Sequence, residues 1–327
     1  YVIGMGGTGA RSCENMYAII HFFAKSVEIS FYQIFGDNSQ NDRLLRTLHI
    51  DVFILIKLVI TDLDDTLYSW IGFFIPAFYD MAEEVSRILD VPLDQLLAEY
   101  RQIHQDVGSV EFPHATLLLP SVQQKYKGLT KEQKMYRLDP AFHKFNSKRK
   151  RLLTLYPGVE NALAFLVDQN INVVGYTESA EENGYFRLVK LGIEQYFTKV
   201  YVSNSSYERP DKYPRSPKTN IVHAKKPNPE LINQICESEG TLPSETLYIG
   251  DSISKDMLMA KQAGVHSVWV DIPAEQGLYQ KLVKISHWTQ EDFQNDEHNK
   301  LLWRDGGYSP DFTIRSFDEL PGIVREL

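Results

Sequence analysis

Five short runs of near-continuous apolar residues, many of them β-branched, constrain this chain more than any other feature: Lys57-Leu-Val-Ile-Thr61, Ile171-Asn-Val-Val-Gly-Tyr176, Thr198-Lys-Val-Tyr-Val202, Thr246-Leu-Tyr-Ile249 and Val265-His-Ser-Val-Trp-Val270. Runs of this kind suit strands buried on both faces, the condition of a parallel sheet. Helical patterns separate them. Asn161 to Gln169 brings Leu163, Phe165 and Leu166 to one side, and Lys255 to Ala263 is rich in Ala, Met and Leu. This alternation predicts an α/β fold, a doubly wound parallel Rossmann-like sheet with right-handed crossovers. Asp311 to Leu327 adds a short final strand, Phe312-Thr-Ile314, and a closing helix.

The alternation breaks between the first two strands, where residues 69 to 153 carry helical patterns and no convincing strand. Ile71 to Leu89 has the widest apolar stripe, Leu93 to Ile103 repeats Leu and Tyr at helical spacing, and Thr130-Lys-Glu-Gln133 matches a capping box. The expectation is an inserted all-helical subdomain over a core of residues 57–68 plus 154–327. Its Lys148-Arg-Lys-Arg151 run reads as a solvated helix end, with a nuclear address or a phosphate contact as alternatives. Ser203 to Ala224 contains Pro210, Pro214 and Pro217 and reads as a surface loop, too proline-broken for a helix or a central strand.

Composition narrows the function classes. The net charge of −9 argues against the phosphate backbone of nucleic acid as a partner. Two cysteines, Cys13 and Cys236, and no secretory leader in the sequence as it stands give a cytoplasmic expectation. The longest apolar stretches, Asp51 to Thr61 and Trp70 to Tyr79, are too short to span a bilayer.

The chemistry concentrates where strands end, which is where ligands bind in open α/β sheets. Val59-Ile-Thr-Asp62-Leu-Asp64-Asp65-Thr66-Leu67 places carboxylates two residues apart as the chain leaves the first strand. Acids this crowded repel one another unless a cation intervenes, and hard Mg²⁺ prefers carboxylate oxygen, water and substrate phosphate. Thr177 offers a hydroxyl at the end of the second strand. Lys225-Lys226-Pro227-Asn228-Pro229 opens a helix, with Asn228 at its N-cap, so Lys226 can deliver a point charge to an anion near the helix start. Tyr248-Ile-Gly250-Asp251-Ser252-Ile-Ser-Lys-Asp256 closes the fourth strand with a tight turn and two more acids placed to hold a metal. Each motif has a plain structural reading by itself, but not in this order.

Together these motifs resemble the haloacid dehalogenase superfamily of phosphohydrolases over roughly residues 57 to 327. The helical insert looks like that superfamily's C1-type cap, and Leu155-Tyr-Pro-Gly-Val159 resembles the group's lead into its second half. The resemblance implies a Mg²⁺-dependent phosphatase acting on a small phosphorylated metabolite. Asp62 would form an aspartyl-phosphate, and Asp64 would protonate the leaving oxygen and then deprotonate water. Mg²⁺ would be held by Asp62, the backbone carbonyl of Asp64 and Asp251, with Asp256 supporting the metal's waters or orienting Lys226. Thr177 and Lys226 would bind the phosphoryl oxygens. Two positions depart from the common pattern: Asp65 stands where Gly is frequent, and Glu178 where Asn is frequent. Glu178 brings a carboxylate near the phosphate site, so it either points away or alters leaving-group selection. Asp64 favours phosphatase over dehalogenase, since dehalogenases lack this acid. A phosphomutase of the same fold and a non-catalytic binding protein remain the alternatives.

Residues 1 to 56 fall outside that resemblance. Tyr1-Val-Ile-Gly4-Met-Gly6-Gly7-Thr8-Gly9-Ala10 is a strand and glycine-rich turn similar to the first nucleotide-binding turn of tubulin-like GTPases, with Phe31-Tyr-Gln-Ile-Phe35 as a second strand. So short a stretch cannot supply the rest of a GTP site. A βαβ remnant or a docking extension is the reading it supports.

Overall fold

The computed structural model describes residues 55–112, 114–204, 216–223, 225–273 and 277–327. The glycine-rich amino-terminal stretch and the Phe31–Phe35 strand lie outside them, as does 205–215 of the proline-rich loop. Leu58, Val59 and Ile60 of β1 (Leu58–Thr61) have no solvent exposure, and removing each from water contributes about 2 kcal/mol. This strand is central because its sequence offers no polar face. β2 (Asn172–Ala180) and β5 (Thr246–Gly250) flank it, and β3 (Lys199–Ser203), β4 (Thr219–Val222), β6 (His266–Val270) and β7 (Phe312–Ile314) complete a 7-stranded sheet in the order β4-β3-β2-β1-β5-β6-β7. Every ladder is parallel. The strand order reverses at β1, so the carboxyl ends of β1, β2 and β5 open onto one crevice.

Local structure differs from the sequence expectation at three places. The loop expected over Ser203 to Ala224 contains a strand, β4, paired with β3 at the sheet edge. An edge strand needs one neighbour only, so the half-buried Thr219-Asn-Ile-Val222 suffices despite the prolines before it. β2 continues past Thr177 to Ala180 through a register shift against β3 between Tyr176 and Ala180. Irregularities of this kind re-aim side chains beside active sites. Finally, the helix expected from Lys255 starts as a π turn, Ile253–Met257, before α-helical geometry at Leu258–Ala263.

Between β1 and β2 the chain forms α1 (Trp70–Leu89), α2 (Leu93–Val107), α3 (Ala115–Leu118), α4 (Pro120–Lys125) and α5 (Lys131–Leu152). The Ser69 hydroxyl caps α1 by accepting from the Gly72 N–H at 3.0 Å, and the capping box at Thr130 forms as expected. The Phe74 and Phe78 rings lie tilted at 6.0 Å within the insert, and Phe78 meets the Tyr100 ring edge-on at 4.8 Å, so these buried aromatics belong to its core. Lys148 pairs with Asp80 at 3.1 Å and Arg149 covers the Phe145 ring, so the basic run is partly used inside the insert.

The core half continues with α6 (Val159–Asp168), α7 (Gly184–Leu191), α8 (Pro229–Glu239), α9 (Leu258–Ala263), α10 (Leu278–Ile285), α11 (Gln290–Asp305) and α12 (Leu320–Glu326). Ile232 and Ile235 of α8, with Met259 and Ala260 of α9, cover one sheet face over Leu58, Ile60, Val174 and Tyr248. α10 holds the insert: the Tyr79 hydroxyl donates to the Lys281 carbonyl at 3.1 Å, and buried His104 Nδ1 lies 2.7 Å from the Ile285 carbonyl oxygen. No helix of the described residues is long and apolar enough to cross a membrane.

Candidate active site

Asp62 is the first residue past β1, and its N–H still donates to the Ile249 carbonyl of β5 at 2.9 Å. That bond carries the side chain to the crevice floor, where only 7% of the residue is exposed. Lys226 Nζ lies 2.5 Å from Asp62 Oδ1 and 2.9 Å from Asp256 Oδ1. Asp256 also accepts from the Tyr248 hydroxyl at 2.8 Å and from the Ser252 N–H at 3.2 Å. The Thr66 hydroxyl sits 3.1 Å from Asp62 Oδ2 and 3.2 Å from Asp251 Oδ1, bridging the ends of β1 and β5. Trp269 Nε1 donates to the Asp251 carbonyl at 2.8 Å and steadies the β5 turn. Asn228 caps α8 by accepting from the Leu231 N–H, which seats Lys226 just ahead of a helix start.

Asp62, Asp251 and Asp256 each offer an oxygen within 4.8 Å of the others. Burial raises the Asp251 carboxyl to about 7, with Asp256 and Asp65 adding to the shift. Asp62 is raised by the same cause, against the opposing pull of Lys226. Burial works against the Lys226 charge too, but Asp256 and Asp62 outweigh it and hold the ammonium protonated. One cation is thus set among several buried acids, an excess of negative charge that a divalent cation would neutralise. The all-oxygen donor set fits a hard ion of the Mg²⁺ type.

Asp64 faces elsewhere. Its Oδ1 accepts from Arg187 at 2.7 Å, and its Oδ2 accepts from the Ser179 hydroxyl at 2.6 Å and the Thr177 hydroxyl at 3.2 Å. The two carboxylates that the sequence sets two residues apart therefore occupy different surroundings, and Asp64's carboxyl is not among the grouped acids. Asp65 takes a positive φ of 58° and accepts from the Ile71 N–H at 3.1 Å, tying the strand end to the start of α1. This explains how Asp serves there: it tolerates the left-handed region and supplies a cap.

Glu178 meets the Lys226 N–H with Oε1 at 3.1 Å and the Lys255 ammonium with Oε2 at 2.5 Å. The carboxylate that departs from the common pattern is thereby turned to Lys255. Sequence reasoning picked out Asp62, Asp64, Thr177, Lys226, Asp251 and Asp256, and these residues converge on one crevice in the way described above. It missed Ser179, Arg187 and Glu111. Arg187 follows Gly184 by three residues and precedes Leu188 on the buried side of α7. A charge at a core position of a helical period was the available signal.

A family model described as haloacid dehalogenase-like hydrolase matches residues 56–264. Glyceraldehyde 3-phosphate phosphatase from Methanopyrus kandleri is 25% identical over 76% of this chain and 96% of its own length. The protein of the same name from Methanocaldococcus jannaschii is 23% identical over 84% of this chain and 99% of its length. The crystal structure of 2-haloacid dehalogenase from Pseudomonas syringae pv. Tomato DC3000 shares the fold, with a TM-score of 0.50 at 20% identity, covering 83% of this chain and 99% of that one.

Proposed function

Because the chain belongs to the haloacid dehalogenase-like hydrolases, we propose that it is a Mg²⁺-dependent phosphatase that hydrolyses a small phosphomonoester through an aspartyl-phosphate on Asp62. The observation that carries this reading is the division between Asp62 and Asp64. Asp62 stands between Lys226 and the other acids, while Asp64 is held by hydroxyls and a guanidinium. The Lys226 ammonium beside Asp62 favours the charged carboxylate that a nucleophile needs, while Asp64 is held apart from it by a guanidinium and two hydroxyls and is left for a separate proton-transfer role.

An Asp62 oxygen attacks phosphorus and a P–O bond forms as the bond to the leaving oxygen breaks. Asp64 gives that oxygen its proton and becomes a carboxylate. Water then attacks the aspartyl-phosphate, loses a proton to Asp64, and inorganic phosphate leaves with Asp62 restored. Lys226 and Thr177 bind the phosphoryl oxygens, so charge built up in transfer meets a fixed ammonium and a fixed hydroxyl. Asp62, Asp251 and Asp256, with the Asp64 carbonyl, would hold Mg²⁺, which when bound supplies positive charge opposite the phosphoryl oxygens. Residues 69–153 act as a cap that excludes water over a core of 57–68 plus 154–327, and residues 1–56 are an added extension. The reading places the enzyme in the cytoplasm. Both archaeal relatives act by name on glyceraldehyde 3-phosphate, which makes short phosphorylated sugars the first substrates to try.

The test is phosphate release from p-nitrophenyl phosphate, glyceraldehyde 3-phosphate, phosphoglycolate and nucleoside monophosphates, with Mg²⁺ and with EDTA. Release that requires Mg²⁺ is expected. Folded protein that binds Mg²⁺ and releases no phosphate from any of them would overturn the reading.

Asp256 supplies a separate check through its neighbour. A Cβ at Gly250 would fall 2.5 Å from Asp256 Cβ and Cγ, closer than real contacts allow. Gly250→Ala must therefore displace Asp256 and, with it, Lys226. A displacement approaching 1 Å costs about 10²-fold in kcat. Steady-state kinetics beside a thermal melt measure it, and unchanged kcat in a folded Gly250→Ala protein would remove Asp256 from the machinery.

A further inference from the structure

Arg187 is an expensive residue to place where it lies. It is 5% exposed, and its guanidinium reaches Asp64 and Ser179 through one nitrogen and Glu111 through another. Its flat side sits 5.2 Å from the Phe73 ring centroid. Burial opposes the charge, yet Asp64 and Glu111 together more than offset it. Glu111 comes from the turn after α2, in the insert, and accepts a further bond from Trp70 Nε1 at 3.1 Å. A single side chain on α7 thus joins the insert to the carboxylate that handles the proton.

A structural role alone does not account for this arrangement. A buried ion cluster is weak evidence for stability, because apolar side chains of similar volume often serve the fold as well. In direct contact the cluster sets one cation between two acids, and Arg149 of the insert adds a positive charge that acts on Glu111 and Arg187 from farther off. What it does achieve is orientation. A guanidinium presents its donors in a rigid plane, so a side chain held between Glu111 and Asp64 fixes the direction in which Asp64 Oδ1 points. The hydroxyls of Ser179 and Thr177 fix Oδ2. With Arg187 removed, Oδ1 loses its donor and Asp64 faces Glu111 with no cation between them.

We propose that Arg187 is a positioning residue that aims Asp64 at the leaving oxygen, and that Glu111 holds Arg187 for this task when the insert is seated. The proposal rests on the reading of Asp64 as the proton donor. It makes the seating of the insert and the aim of the acid a single event, so proton transfer is in place only when the site is covered.

A leaving-group comparison separates this role from a structural one. Phenyl phosphate and p-nitrophenyl phosphate have nearly the same shape, but phenolate needs a proton to leave and p-nitrophenolate does not. The value of kcat/KM covers only the steps through departure of the phenol, and the two esters share binding and attack, so their ratio reads the leaving-group step. For Arg187→Met the ratio of kcat/KM, phenyl over p-nitrophenyl, is expected to fall by about 10²-fold, the scale of general-acid assistance. Asp64→Asn should shift the ratio in the same direction, and Arg187→Lys, a point charge without the planar fork, should restore part of it. Should Arg187→Met fold poorly, Arg187→Met with Glu111→Leu removes the stranded carboxylate and is expected to give the same ratio. An equal loss on both esters overturns the proposal. A selective loss in Asp64→Asn that is missing from both Arg187 variants also overturns it. Absence of a selective loss in Asp64→Asn overturns the proton-donor reading beneath it, and no phosphate release by the unaltered chain overturns the phosphatase reading itself.

Discussion

Asp62→Asn is expected to stop turnover while leaving the fold intact. Loss of a covalent nucleophile removes the intermediate itself, so kcat should fall on the order of 10⁴-fold or more on every substrate, whatever its leaving group. The neighbours explain why the protein should still fold. The remaining side-chain carbonyl oxygen can keep the bond to Lys226 that Oδ1 makes at 2.5 Å. The new amide nitrogen replaces Oδ2 beside Thr66, whose hydroxyl lies 3.1 Å from that oxygen and 3.2 Å from Asp251. Thr66 can then accept from the amide and donate to Asp251, so no buried polar atom is left without a partner. Removing one acid from a crowded set also relieves repulsion. The melting temperature should match or exceed that of the unaltered chain in EDTA. Phosphate release and a thermal melt on the same preparation decide it. Activity within tenfold of the unaltered chain would show that Asp62 is not the nucleophile.

How much of this was legible beforehand depends on how far apart in sequence the partners lie. Asp62, Asp64 and Asp65 sit within one strand end, and Lys226, Asn228 and Pro229 within one helix start, so local rules placed them. The parallel sheet was readable for a similar reason: Leu58-Val-Ile60 and Val173-Val174 have no polar face, and such runs need cover on both sides. β4 escaped because an edge strand is not required to be apolar on two faces, and Pro217 just ahead of it reads as a breaker. The Arg187 cluster escaped for a different reason. Its bonds to Glu111 and Asp64 span 76 and 123 residues, and nothing local marks Glu111 as the partner of a buried arginine. The π turn at Ile253–Met257 was hidden too, since composition there suits an ordinary helix start, although this turn brings Asp256 to Lys226.

Lys226→Met tests the other half of the site, and its effects should appear in stability as well as rate. Lys226 is the cation between Asp62 and Asp256, with its ammonium 4.7 Å from the Tyr176 ring centroid. Breaking a buried pair by removing one member costs about 3–5 kcal/mol, because the charges left behind stay buried without a partner. For a chain of this size that is a loss of about 10 °C in melting temperature. The pH dependence follows from Asp62, whose carboxyl is already raised by burial and is pulled down chiefly by Lys226. Without that pull it rises further. A carboxyl whose folded value exceeds its unfolded value favours the folded state at low pH, and the advantage is lost as pH climbs through the folded value. The Lys226→Met deficit should therefore be smallest near pH 4–5 and grow toward pH 8. Mg²⁺ should recover part of it at pH 8, because a divalent ion among the same acids restores the missing positive charge. In the reaction, the loss of a fixed charge opposite the phosphoryl oxygens should lower kcat by about 10²–10³-fold. Thermal melts at both pH values, with EDTA and with Mg²⁺, check the electrostatic part apart from the catalytic part. A deficit independent of pH and of Mg²⁺ would mean that Lys226 supports the fold through packing alone.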